Sequence, residues 1–124
     1  MNRRTFIAST AALAAAPLFS IPAFAASRKG KFKGQKGHVT TGAVTVKDGK
    51  IILESSFSFD GAPDPRVGFG KRGKYSRNTD FAVLKKNKGK QTYKIPSNLN
   101  PDDYDTVVIW CRKFSVPLGF AKIK

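Results

Sequence analysis

The chain has 124 residues, with 23 Lys or Arg against 8 Asp or Glu and a formal net charge of +15 at pH 7. Its one cysteine, one histidine and one methionine exclude, from its own side chains, a blue-copper centre, a four-cysteine zinc or iron–sulfur site, and covalent c-type haem attachment through Cys-x-x-Cys-His. A single thiol also excludes an internal disulfide, so in an oxidising compartment Cys111 is buried, ligated or paired with another molecule.

Residues 1–25 read as an export signal. Arg3-Arg4-Thr5-Phe6-Ile7 is a twin-arginine pattern, an apolar stretch runs to Ile21, and Ala23-Phe24-Ala25 fits a small-residue cleavage site. A membrane anchor is disfavoured because the apolar stretch falls short of the ~20 residues a span needs and Pro17 and Pro22 interrupt it. Cleavage after Ala25 would leave 99 residues with 21 basic and 8 acidic side chains, a net charge of +13, in the periplasm or outside the cell. That excess calls for an anionic counterpart, either an acidic redox partner or an anionic envelope surface of lipid head groups or polysaccharide. Nucleic acid is not expected at such an address.

Residues 26–37, where Lys and Arg alternate with Gly around one aromatic, Phe32, predict a flexible basic arm. Residues 38–124 form the expected domain. His38 to Val46 and Lys50 to Phe59 read as two strands joined by a two-residue Asp48-Gly49 turn. That turn pairs Val46 with Ile51, Val44 with Leu53, Gly42 with Ser55 and Thr40 with Phe57, placing the apolar members on one face. Asp60 to Pro65 is a cluster of turn formers whose carboxylates, Asp60 and Asp64, serve the turn.

Arg66 to Gly70 is a short strand, and Gly70 to Asp80 a basic loop. There Lys71, Arg72, Lys74 and Arg77 surround Tyr75, either as a solvated face or as an anion-binding one. Short strands follow at Phe81–Leu84 and Gln91–Ile95, separated by a lysine-rich turn and ended by Pro96. Asn100 as cap, Pro101 first and Asp102 and Asp103 in the first turn predict one helical turn near residues 100–104.

The run Val107-Val108-Ile109-Trp110-Cys111 predicts a strand covered on both faces. Val107, Ile109 and Cys111 would lie on one side, Val108 and Trp110 on the other. Arg112 and Lys113 would favour the Cys111 thiolate, and burial against Ile109 would oppose it, with Trp110 adjacent. Pro117-Leu118-Gly119 reads as a turn before a closing strand, Phe120 to Ile123. Roughly eight short strands and one helical turn make the expected fold all-β, a single-domain antiparallel β-sandwich.

Val108-Ile109-Trp110-Cys111-Arg112-Lys113-Phe114-Ser115-Val116-Pro117, with Gly119 and Ala121 behind it, resembles the closing motif of the DM-thirteen domains. This is an extracytoplasmic electron-transfer family often found beside DOMON domains. Gly37-His38 with Thr41-Gly42, the run Phe57 to Pro65, the strand Arg66 to Gly70, and Gly89 to Pro96 are similar to its other signatures, so the likeness spans Gly37 to Ile123. The resemblance implies a redox module whose motif cysteine, here Cys111, is a naked thiol or holds a prosthetic group. His38 stands where those domains commonly carry histidine, which leaves haem with Cys111 and His38 as axial ligands among the candidates. No metal site is expected.

A Cys–His hydrolase is the weaker class, since no oxyanion-hole motif accompanies the pair. The reading is therefore an exported electron-transfer module using Cys111. Its alternative is a non-catalytic β-sandwich that binds anionic material through basic residues, with Cys111 only packed in the core.

Overall fold

The computed structural model describes residues 27–124; the expected export signal and its cleavage point lie outside them. In chain order the strands are β1 (Arg28–Gly34), β2 (Thr40–Thr41), β3 (Ala43–Lys47), β4 (Lys50–Leu53), β5 (Ser58–Phe59), β6 (Pro65–Lys71), β7 (Lys74–Tyr75) and β8 (Ala82–Val83). They continue with β9 (Gln91–Lys94), β10 (Thr106–Cys111) and β11 (Val116–Lys122). A 3-10 turn, Pro101–Asp103, precedes β10, and Asn100 Oδ1 caps it by accepting from the Asp102 N–H at 3.0 Å. The fold is an all-β sandwich made from one curled antiparallel sheet of nine strands, in the order β7-β6-β10-β11-β1-β3-β4-β9. β8 sits beside β7 on the same edge of β6, and β2 and β5 form a separate ribbon.

β1 makes the curl, and it corrects the expectation of a flexible arm. Arg28 to Lys31 pair with β3, while Phe32 to Gly34 pair with β11, so one strand belongs to both halves of the sandwich. Its basic residues have strand period: Lys29, Lys31 and Lys33 point out and are exposed, while Arg28, Gly30 and Phe32 point in. Composition suggested disorder, but backbone pairing along both edges supplies the order that its side chains lack. Gly30 is needed where β1 meets the end of β11, since a Cβ there would lie 2.1 Å from the Lys122 carbonyl oxygen. The Arg28 guanidinium donates to the Pro101 and Tyr104 carbonyls at 2.9 and 2.8 Å, tying β1 to the 3-10 turn.

The inner faces of the two halves share one core. Val44, Val46, Ile51, Leu53 and Tyr93 meet Val67, Phe69, Val107, Ile109, Leu118 and Ala121. The β3–β4 hairpin has the expected register, Val46 with Ile51 and Val44 with Leu53. Asp48 and Gly49 both have positive φ, 51° and 72°, as the tight turn requires. Beyond Ala43 the expected pairs do not form. Gly42 turns the chain at φ 102°, the N–H of Phe57 closes a turn onto Glu54, and Thr40 pairs with Phe59 instead of Phe57. The slip is two residues, an even number, so Thr40, Phe57 and Phe59 all remain buried.

Pro117-Leu118-Gly119 is strand, not turn; the turn is 112–115, with Ser115 at φ 52°. Ile109 pairs with Gly119 and Trp110 with Pro117, leaving Leu118 as an extra residue in a bulge. Proline is tolerated at such an irregularity because no ladder N–H is required of it. A strand role for residues 28–34 makes Phe32, 5% exposed and edge-on to Phe57 at 5.5 Å, a core residue. Phe32→Ala is expected to cost about 3–4 kcal/mol in chemical denaturation, whereas a free arm would register almost nothing.

Candidate functional site

β10 runs between β6 and β11, and its alternation divides the candidate residues between two environments. Val107, Ile109 and Cys111 face the core, and Cys111 is 1% exposed. Trp110 faces out. The two cations after the thiol fall in the exposed 112–115 turn and are engaged elsewhere. Arg112 Nε donates to Asp80 Oδ2 at 3.0 Å, and the Lys113 ammonium lies 5.6 Å over the Phe114 ring. Among the described residues the thiol makes no hydrogen bond and neither cation pairs with it.

His38 is also committed. Its Nδ1 lies 2.9 Å from Asp60 Oδ1, its ring packs on Phe59 at 5.8 Å, and Asp60 Oδ2 accepts the Val39 N–H at 3.0 Å. The Val39 N–H, with His38 assisting against a small desolvation cost, holds the Asp60 carboxyl below its ordinary value. Asp64 is taken up by Arg66 at 2.9 Å. A haem gripped between Cys111 and His38 does not fit this arrangement, because the thiol is enclosed by core side chains and the imidazole is held at the surface by its hydrogen bond to Asp60.

The outer face of β6 and β10 carries a groove of about 660 Å³, lined by Tyr75, Arg77, Asn78, Asp80, Trp110, Arg112 and Ser115. Its wall is a stacked pair: the Tyr75 and Trp110 rings lie 3.8 Å apart at 11°. Glycines on β6 allow this. Val67 and Phe69 face the core, so Arg66, Gly68 and Gly70 face out, and a Cβ on Gly68 would meet the Thr79 carbonyl oxygen at 2.8 Å. The loop after β7 therefore lies directly on the strand. Buried Thr79 pins it, its Oγ1 accepting the Phe69 N–H at 3.0 Å and standing within hydrogen-bond reach of the Phe69 and Ser76 carbonyls.

Asp80 is the centre of the groove's electrostatics. Burial opposes its charge, but the Tyr75 hydroxyl, donating to Oδ1 at 2.7 Å, and Arg112 at Oδ2 outweigh that and hold its carboxyl below the ordinary value. Burial first, then the hydrogen bond to Asp80 and that residue's charge, pushes the Tyr75 phenol up to about 12. The acid thus clamps an aromatic ring on one side and a guanidinium on the other.

Of the four loop cations expected to bind anions, only Arg77 lines the groove; Lys71, Arg72 and Lys74 are exposed around the β6–β7 hairpin. The Arg72 N–H donates to Asp105, whose carboxyl is held low chiefly by the Thr106 hydroxyl. Asp80, Thr79 and Ser115 were not among the sequence candidates. The outward Gly68 and Gly70 of β6, glycines in a strand against which another backbone can press, were the signal for them.

The family model for the electron transfer DM13 domain matches residues 31–123, from within β1 to the residue after β11. The chain belongs to the electron transfer DM13 family. It is an electron-transfer module. Searches of curated proteins and of solved structures find no match. Among the described residues of this DM13 domain no group of three or more His, Cys, Asp or Glu could hold a metal ion, and no helix is long and apolar enough to cross a membrane.

Two titrations check the clamp. The neutral Tyr75 phenol is favoured by folding, so its contribution is complete below the ordinary tyrosine value near 10 and fades as pH rises towards about 12. In an alkaline titration of tyrosinate absorbance, Asp80→Asn is expected to move one late-ionising tyrosine to lower pH. The Asp80 carboxylate is favoured by folding, so its contribution is complete above the ordinary value near 4 and is lost as acid carries the pH below that. Trp110 is the chain's one tryptophan. Its fluorescence is expected to follow this acid transition in the wild type and not in Asp80→Asn.

Proposed function

We propose that the chain is an exported electron-transfer module that docks an acidic redox partner over the Tyr75–Trp110 groove, with Cys111 as the interior redox group. Export rests on the residue pattern of positions 1–25. The docking reading is carried by the stacked pair at the groove wall, Tyr75 of β7 against Trp110 of β10, the strand that also holds the cysteine. Trp, Tyr and Arg are the side chains that dominate protein interfaces, and here they converge beside an exposed phenylalanine, Phe114, at 61%. Arg77, Arg112 and Lys113, with Lys71, Arg72 and Lys74 on the nearby hairpin, give this end a positive field that favours encounter with an acidic face.

Burial restricts what Cys111 does. A side chain 1% exposed has no open line for attack on a partner's disulfide, so thiol–disulfide exchange is disfavoured in the folded state. The remaining route is along β10, where the Trp110 indole meets the groove and the next side chain is Cys111: the docked partner, as oxidant, would take one electron from the thiol by this route, leaving a thiyl radical and releasing the thiol proton to solvent.

Voltammetry of the purified protein tests the reading. The expected result is a faradaic wave that disappears in Cys111→Ala, and whose transfer rate falls about tenfold or more in Trp110→Leu, with both variants folded by circular dichroism. A wave that survives Cys111→Ala would remove the thiol as carrier, and no wave from any form would overturn the proposal.

A further inference from the structure

We propose that the outer face of β1, β3, β4 and β9 binds the anionic surface of a phospholipid bilayer, holding the domain with its aromatic groove turned away from the lipid. The inference stands apart from the role of Cys111. Lys47 of β3, Lys50 of β4 and Lys94 of β9 are direct cross-strand partners, Lys47 with Lys50 and Lys50 with Lys94, and all three are exposed. Like charges placed directly opposite one another on a sheet are destabilising, so the fold gains nothing from this ladder.

β1 extends the same face. Lys29 and Lys31 stand opposite Thr45 and Ala43, on the side of β3 that carries Lys47, and Lys33 follows. Neighbouring strands are about 4.8 Å apart and alternate residues along a strand about 6.8 Å apart, so the six ammonium groups spread over a two-dimensional field. Among the described residues none of the six is ion-paired; the Lys and Arg ion pairs are Arg66–Asp64 and Arg112–Asp80. Of the acids on this side, Glu54 accepts the Thr45 hydroxyl, Asp48 sits in the turn at the end of the hairpin, and Asp102 borders the face beside Lys47 without an ion pair to it.

The chemistry of the face selects the ligand. Lysine is a flexible point charge, suited to laterally spread phosphates, whereas planar, bidentate recognition calls for arginine. The outward residues of β3, β4 and β9 are Ala43, Thr45, Lys47, Lys50, Ile52, Thr92 and Lys94. They include no aromatic platform of the kind that single-stranded nucleic acid or a protein hot spot uses. Several lysines at one anionic surface act together, each adding to the attraction within a Debye length.

The two halves of the sandwich meet through their inner faces, so this lysine face and the groove beside Trp110 look out from opposite sides. A domain held by its lysines would present Tyr75, Trp110 and Arg112 to the aqueous phase.

The purified protein, sedimented with vesicles, is expected to bind those containing phosphatidylglycerol and not those of phosphatidylcholine alone, with binding falling steeply as salt rises. Reversing the ladder in K47E/K50E/K94E should lower the partition coefficient about tenfold or more, while the equal reversal K71E/K74E/R77E on the groove side should change it by about twofold or less. Equal losses from both would mean that net charge alone drives the association, and would overturn the assigned face. Retention on dextran sulfate without vesicle binding would overturn the lipid in favour of a polysaccharide. Trp110 should remain as open to an aqueous quencher on vesicles as in solution; shielding would overturn the orientation.

Discussion

The division of one strand between two partners is the constraint on which the rest of the structure depends. β1 pairs with β3 through its first half and with β11 through its second, so the sheet closes over its own inner face instead of ending in two separate layers. Closure buries Phe32, Val44, Ile51, Phe69 and Ile109 in one cluster and leaves two outer faces with different chemistry. Only glycine at position 30 leaves room for the carbonyl of Lys122.

The outer face of β6 and β10 shows how a strand builds a site without contributing large side chains to it. Gly68 and Gly70 carry nothing outward, so the loop 76–80 settles on the strand and delivers Asp80 between Tyr75 and Arg112. Tyr75 then lies flat against Trp110. A partly buried carboxylate with two charge-assisted or hydroxyl partners is well satisfied, and it fixes ring and guanidinium in one geometry ahead of any encounter. Thr79 secures the loop from beneath through the backbone of Phe69.

Cys111 and His38 illustrate the difference between adjacency in sequence and adjacency in space. Arg112 and Lys113 follow the thiol in the chain, yet the strand ends there and both turn away from the core. His38 lies at the far end of β1's connection to β2, where Asp60 holds it in the turn that follows β5. Membership in the electron transfer DM13 family gives the chain its general role. β10 carries both an outward indole at the groove and an inward thiol in the core.

Local pattern alone fixed a good deal. The period-2 alternation of Val107 to Cys111 put the thiol and the indole on opposite sides of the strand, and the Asp48-Gly49 turn set the β3–β4 register, because both depend on neighbours within a few residues; which side faces the core was left to the tertiary structure. Asn100 and Pro101 marked their turn for the same reason. The family signatures, too, were readable along the chain. What tertiary structure decided was every feature that needs a distant partner. Arg28 to Gly34 is a strand only because β3 and β11 supply hydrogen bonds from elsewhere in the chain. The bulge at Leu118 answers to β10, and Asp80 becomes the centre of a groove only once Gly68 admits its loop. Side-chain periodicity is written residue by residue, whereas backbone pairing and the space above a glycine exist only after the sheet has closed.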